Sequence, residues 1–341
     1  MKTIIVTGGA GYIGSHTLIE LLNNTDYNIV SIDNFSNSSV ASYDRVKKLV
    51  SRPFQTFNID LCNENDLRLQ LSGLTNIEGV IHFAAFKSVP DSVADPVLYY
   101  FNNINSLNNL LKFSKEKQIR NFIFSSSCSV YGNADELPVT EDTPLKKAES
   151  PYGHTKQIGE EIIRFFCASN PWLNAVILRY FNPVGAHMSG LTGELPVTKP
   201  NNLAPIITQT ALGKNTLTVF GSDYNTRDGY CVRDYIHVTD IADAHIKALH
   251  YLTEHRNKKS VSLYNLGTGN GVSVLEVIQS FEKVSGKKLN YGVGPRREGD
   301  VVAVYANNSL AKEELGWSPQ YSLDDMMLSA WKWQLTIEKG G

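Results

Sequence analysis

Tyr152 and Lys156 stand four residues apart in the segment Ser150-Pro151-Tyr152-Gly153-His154-Thr155-Lys156. On a helix that spacing puts both side chains on one face, within reach of one small cavity. The chemistry such a pair offers is proton transfer. A free phenol, with a pKa of about 10, is a poor base at neutral pH, and a nearby ammonium favours the phenolate. Tyrosine and lysine are both common on solvated helices, so the pair takes its meaning from what precedes it. Ser127 ends the apolar run Phe122-Ile123-Phe124-Ser125-Ser126-Ser127, one loop ahead of that helix. A hydroxyl there can hydrogen-bond the substrate oxygen that Tyr152 deprotonates and relay its proton. Ser125, Ser126 and Ser129 read as hydroxyls that satisfy nearby backbone groups. His154 reads as a surface histidine, and Cys128 lacks the histidine–acid partners of a thiol nucleophile.

A second constellation opens the chain. Lys2-Thr3-Ile4-Ile5-Val6-Thr7 is an apolar, β-branched run that predicts a buried strand. Gly8-Gly9-Ala10-Gly11-Tyr12-Ile13-Gly14 follows and leads into a helical pattern from Ser15. Strand, glycine turn and helix together form a dinucleotide site: Gly8, Gly11 and Gly14 let the backbone approach a pyrophosphate and aim a helix N-terminus at it. The next strand, Tyr27 to Ile32, ends in Asp33, where a carboxylate would bind an adenosine ribose and repel a 2′-phosphate. NAD is therefore expected rather than NADP.

The elements that must position these residues alternate along the first half. Strand-like runs at Phe54–Ile59, Gly79–Ala85, Phe122–Ser127 and Ala175–Tyr180 are separated by helical patterns such as Val97–Lys115 and Thr155–Ala168. This predicts an α/β fold, a doubly wound parallel sheet of Rossmann type, with ligands outside the carboxyl ends of the strands. Asp60, Phe83, Ala84, Ala85, Lys87 and Ser125–Ser127 fall at such ends. After about residue 183 the rhythm breaks into loops rich in Gly, Pro and Asn, the expected start of a smaller mixed α/β substrate domain. The expected division is 1–183 for the nucleotide domain, with a return to it around 232–268, and 184–341 for the substrate domain.

Composition excludes other classes. A chain of 341 residues with 42% hydrophobic content and net charge −2 is that of a globular protein. It gives no reason to expect nucleic acid or a membrane as partner. Strand residues begin directly after Met1, so no leader is expected. Cys62, Cys128, Cys167 and Cys231 are scattered without metal-type spacing and read as reduced thiols of a cytoplasmic protein. The eight histidines show no paired-ligand spacing, so no metal is expected.

Three segments now converge on a family. Thr7–Gly14, Ser125-Ser126-Ser127-Cys128-Ser129-Val130-Tyr131-Gly132 and Ser150–Lys156 resemble the extended short-chain dehydrogenase/reductases. Arg179-Tyr180-Phe181-Asn182-Pro183-Val184-Gly185-Ala186-His187, Pro200–Leu203, Val232–Val238 and Pro295–Asp300 are similar, more specifically, to UDP-hexose 4-epimerases. The likeness runs from Lys2 to at least Trp317. It implies an isomerase that uses tightly bound NAD, with Ser127, Tyr152 and Lys156 catalytic. By the resemblance, Tyr12, Ile13, Asp33, Asn34, Asn37, Ser38, Asp60, Leu61, Phe83, Ala84, Lys87, Asn102, Tyr152, Lys156 and Phe181 contact NAD. Arg233 and Arg297 match its diphosphate-binding arginines, Asp300 its uridine-ribose contact, and Asn182 and Asn202 its substrate asparagines. Thr218-Val219-Phe220 matches the strand that frames uracil.

Two further expectations come from the resemblance. Helices around Val97–Lys115 and Thr155–Phe166 match those that pair across family homodimers. Four residues past Asp300, members restricted to UDP-glucose and UDP-galactose carry a tyrosine beside the sugar's C2 substituent. Val304 stands there, which implies room for UDP-N-acetylglucosamine and UDP-N-acetylgalactosamine as well. Nucleotide-sugar 4,6-dehydratases share the scaffold but carry an Asp-Glu pair after the strand-end hydroxyl, where this chain has Cys128 and Ser129.

Overall fold

The computed structural model describes residues 1–196, 200, 202–296 and 301–340. The first half alternates as its patterning predicts. Strands β1 (Thr3–Thr7), β2 (Asn28–Asp33), β3 (Gln55–Asn58), β4 (Ile77–His82), β5 (Asn121–Ser127) and β6 (Asn174–Tyr180) are separated by helices. These are α1 (Tyr12–Asn24), α2 (Ala41–Lys47), α3 (Glu64–Gln70), α4 (Val89–Ala94), α5 (Pro96–Glu116) and α6 (Pro151–Ser169). The later strands are short: β7 (Asn182–Val184), β8 (Leu217–Phe220), β9 (Val232–Arg233) and β10 (Tyr235–His237), then β11 (Val261–Leu266), β12 (Val272–Ser273), β13 (Tyr291–Gly294) and β14 (Ala303–Val304). Among them lie α7 (Leu203–Ala211), α8 (Val238–Thr253), α9 (Val274–Ser285) and α10 (Leu323–Glu338).

Seven strands form one sheet in the order β11-β6-β5-β4-β1-β2-β3, and every pairing is parallel. Parallel sheets need cover on both faces, because their strands are apolar on both. One face is packed by α1, α2 and α8 through Leu18, Leu21, Val46, Ile241 and Leu249. The other is packed by α3, α5 and α6 through Leu67, Leu110, Phe113 and Ile163. Ile4, Ile5 and Val6 of β1 are wholly shielded from water, each contributing about 1.5–3 kcal/mol. That makes β1 a rigid base for the glycine turn that follows it.

The chain runs outward from β1 to β2 and β3, then crosses back to β4 on the other side of β1. The carboxyl ends of β1 and β4 therefore border the crevice where strand order reverses, the usual ligand site of such sheets. A separate core of Ile207, Leu217, Val219, Val277, Phe281, Met327 and Trp331 joins α7, α9 and α10 to β8. Small sheets β10-β7, β12-β9-β14 and β13-β8 carry this second part of the molecule. Between the two regions Val130, Tyr131, Val139, Phe181, Val304 and Ala306 form a small apolar cluster beside the end of β5.

Candidate active site

At the crevice the backbone comes unusually close. Gly8 has φ +71°, a conformation that side chains rarely adopt, and a Cβ on it would lie 2.8 Å from the Ala84 nitrogen. A Cβ on Gly14 would collide with the Gly8 carbonyl, so α1 rests directly on the turn. Gly11 is the N-cap of α1 and offers no side-chain hydrogen bond to it. This glycine cradle at a helix N-terminus fits an anionic pyrophosphate. Asp33 closes the cradle. Its carboxylate accepts from the Ala10 N–H at 2.9 Å, the Phe35 N–H at 2.9 Å and the Ser38 hydroxyl at 2.8 Å. The sequence expectation placed Asp33 on a ribose; in the protein it also ties the end of β2 to the glycine turn.

The other residues of the nucleotide side line the same strand ends. Thr7 Oγ1 and His82 Nδ1, at the tips of β1 and β4, are 2.8 Å apart. Burial and the neighbouring Lys156 cation lower His82 to a pKa of about 3, so it is neutral. Phe83 packs on His245 with ring centroids 4.6 Å apart. Lys87 pairs with Glu194 at 3.1 Å and lies 5.8 Å from the Tyr12 ring centroid. The Tyr12 phenol in turn donates to the Gly185 carbonyl at 2.6 Å, bridging to the second region. Asp60 and Asn37 are exposed, Leu61 is buried, and Asn34, Asn102, Ile13, Ala84 and Ala85 are half-buried. Asn103 went unnoticed in the sequence. Its side chain brackets the Phe86 N–H and carbonyl at 2.8 and 3.0 Å and reaches Thr155 Oγ1 at 3.1 Å. It thereby fixes the Ala84–Lys87 loop to α6.

The helix that carries Tyr152 and Lys156 has a well-defined start. The Ser150 side chain caps α6 by accepting from the Gly153 N–H at 3.1 Å, and Pro151 occupies the first turn. A Cβ on Gly153 would lie 3.2 Å from the Ser129 carbonyl, so the helix start sits close on the turn after β5. Ser127 Oγ accepts from both the Ser129 N–H, at 3.2 Å, and the Ser129 hydroxyl, at 3.0 Å. With both acceptor positions used, the hydroxyl hydrogen of Ser127 is left for Tyr152, whose pKa the neighbouring Ser127 lowers. Ser129 is thus an orienting partner rather than the bystander its sequence position suggested. Ser126 also departs from the sequence reading, donating to the Glu160 carboxylate at 2.6 Å. His154 is exposed, with Nδ1 2.7 Å from the Tyr100 hydroxyl.

Electrostatics correct one expectation. Burial pushes Tyr152 up to about 12, and the Ser127 hydrogen bond opposes that without reversing it. Lys156 is buried, its ammonium donating to the Ser125 carbonyl at 2.7 Å and lying 5.9 Å from the Tyr152 ring centroid. Burial lowers Lys156 to about 8, opposed by Glu160. Dehydration is thus the largest influence on both groups. Cys128 is held by burial at about 12, which makes it inert as a thiolate.

On the substrate side, Asn182 Oδ1 is shielded from water and has no hydrogen-bond partner among the described residues, which suits a ligand hydroxyl. Asn202 Nδ2 donates to Glu194 at 2.6 Å, and Arg233 Nη1 donates to the Val232 carbonyl at 2.9 Å. Val219 points into the core at 3% exposure, while Thr218 and Phe220 face outward. The expected uracil frame can therefore use those two side chains, and only the backbone of Val219. Phe181 and Val304 share the cluster beside Cys128. The Tyr305 ring lies against Gly271, where a Cβ would approach it to 2.9 Å. Arg297 and Asp300 lie outside the described residues. Among the described residues no His, Cys, Asp or Glu cluster is placed to hold a metal, and no helix is long and apolar enough to cross a membrane.

Comparison with known proteins agrees with this geometry. The GDP-mannose 4,6 dehydratase family profile matches residues 5–329. The UDP-glucose 4-epimerase of Dictyostelium discoideum is 48% identical, over 97% of this chain and 95% of its own. The human UDP-glucose 4-epimerase is 48% identical, over 98% and 96% respectively. The crystal structure of UDP-glucose 4-epimerase from Bifidobacterium longum, in complex with NAD+ and UDP, superposes with a TM-score of 0.92 at 45% identity, covering all of both chains. Identity of this order along essentially the whole length, with the same seven-stranded scaffold, leaves one conclusion: the chain belongs to the UDP-glucose 4-epimerase family.

Proposed function

We propose that this protein is an NAD-dependent isomerase that interconverts UDP-galactose and UDP-glucose through a 4-keto sugar. The observation that carries the reading is Ser127 at the end of β5 beside the buried Tyr152, with Lys156 one turn along the same helix face. Starting from either UDP-glucose or UDP-galactose, the protein should reach the same mixture of the two. Failure to convert in either direction would reject the reading.

The residues divide the work. Gly8, Gly11, Gly14 and Asp33 hold NAD, which when bound supplies the hydride acceptor and donor for sugar C4. Tyr152 takes the proton of the sugar 4-hydroxyl, and Ser127, its own hydrogen directed by Ser129, bridges the two oxygens. Because burial holds the phenol high, Tyr152 takes that proton only as the phenolate, the form that positive charge beside it favours, and returns it in the reverse step. Lys156 supplies positive charge beneath the phenol. Arg233, Arg297, Asp300, Asn202 and the Thr218–Phe220 strand anchor the nucleotide, so that binding energy is spent there and the keto sugar can turn over. Gly8→Ala puts a side chain on a left-handed backbone, at about 1–2 kcal/mol, and against Ala84. The purified variant is expected to carry little NAD, measured as cofactor released on denaturation.

Val304 favours a second substrate class. Its side chain is small, and Tyr305 faces Gly271 on the other side of the strand, so the Tyr305 ring does not replace a tyrosine at Val304. UDP-N-acetylglucosamine and UDP-N-acetylgalactosamine are expected to be accepted too. Assembly as a homodimer through α5 and α6 is supported by Val97, Phe101 and Phe165, exposed at 75%, 57% and 76% on those helices. Light scattering at micromolar concentration should give twice the 37.9 kDa chain mass. A stable monomer would contradict it.

A further inference from the structure

Below the catalytic turn lies a buried group of charges that the mechanism above does not use. Glu160 is one helical turn beyond Lys156 on α6 and only 2% exposed. Its carboxylate accepts two hydrogen bonds from Arg179 of β6, at 2.9 and 2.7 Å, and one from Ser126 of β5 at 2.6 Å. Arg179 is equally buried and stacks on the Tyr131 ring, 4.7 Å from its centroid. Arg164, half-exposed on the next turn, approaches the same carboxylate at 3.9 Å. A fully dehydrated ion pair costs more to build than an apolar pair of equal volume, so its presence here calls for a use.

The geometry supplies one. Ser126 is one residue from Ser127, and Glu160 is one turn from Lys156, so the carboxylate pins α6 to the strand end that carries the serine. It is also the only anion, among the groups facing Lys156 in the described residues, that offsets a buried ammonium. From α6 the ammonium meets the Tyr152 ring, and Glu160 acts on it as a charge one turn away; from β4 comes neutral His82, and from β5 the Ser125 carbonyl and the Phe124 ring. From β6, Arg179 is paired with Glu160, and Tyr180 is a phenol that burial holds far above its ordinary range. We propose that Glu160, locked by Arg179 and Ser126, is a positioning residue that keeps Lys156 charged and holds the Tyr152–Lys156 turn in register with Ser127. The proposal rests on the reading of Ser127, Tyr152 and Lys156 as the catalytic group.

The sign of the effect follows. Lys156 loses its proton as pH rises through its midpoint. Removing the anion disfavours the ammonium, so the midpoint must fall and the alkaline limb of kcat must move to lower pH. Glu160→Gln alone strands the Arg179 cation and can fail to fold. Glu160→Gln with Arg179→Met removes both charges and is the decisive variant. The Lys156 midpoint is read by NMR on holoenzyme carrying [ε-13C]lysine, its signal assigned with Lys156→Met. In the folded double variant it is expected to lie below wild type, because Glu160, and not Arg179, is the charge that acts on Lys156. The alkaline limb of kcat should move with it, with little change in KM for UDP-galactose. A folded double variant whose Lys156 midpoint coincides with wild type would overturn the proposal. Wild-type turnover by Lys156→Met would instead overturn the catalytic reading, and the NMR midpoint would still decide the role of Glu160.

Discussion

Tyr152→Phe is expected to reduce epimerisation by about 10²–10⁴-fold while leaving the fold and the bound NAD in place. The substitution removes one oxygen from a ring that stays packed, so the loss reports proton transfer rather than structure. The loss should be of similar size on every sugar the wild type accepts, because the same 4-hydroxyl must lose its proton in each. Ser127→Ala should be less severe, since Tyr152 can still reach the sugar oxygen, but clearly damaging because the relay is gone. Turnover of Tyr152→Phe near the wild-type rate, with cofactor content unchanged, would show that another group is the base.

Val304→Tyr is the second large effect, and it is selective. Wild type is expected to convert both UDP-galactose and UDP-N-acetylgalactosamine, the latter more slowly because valine branches at Cβ. Val304 packs with Phe181 and Val130 beside the end of β5. A tyrosine there must either project into the sugar pocket or break that cluster. Conversion of the acetylated sugar should be lost by steric exclusion, and conversion of UDP-galactose retained. Side-by-side assays with chromatographic separation of products measure both. Wild type that converts UDP-galactose and leaves UDP-N-acetylgalactosamine untouched would refute the open pocket.

What was legible in the sequence had strong local causes. The β-branched runs of β1, β2 and β4–β6 are continuous apolar stretches bounded by turns, as strands covered on both faces require. They placed the strand ends that border the crevice to within about three residues. Tyr152 and Lys156 were legible because helical spacing alone puts them together. The short strands β7, β9, β10, β12 and β14, of two or three residues each, were not, since that length carries no periodicity. Nor were the partners that orient the site. Ser129, Asn103, Ser126 and the Glu160–Arg179 pair are common polar residues. Their role lies in contacts made across the sheet, and an acid on a helix reads first as solvated. The phenol's acidity was misjudged for the same reason, because spacing reveals the ammonium nearby but not the water excluded from both groups.

The central claim is that hydrogen removed from C4 of a UDP-hexose returns to C4 of the same sugar. Purified protein, with no cofactor added, is incubated with UDP-galactose deuterated at C4, and the UDP-glucose formed is analysed by mass spectrometry and NMR. The account predicts UDP-glucose with the deuterium still at C4. Label found at C6 of a 4-keto-6-deoxy sugar, label lost to solvent, or no product at all would contradict it.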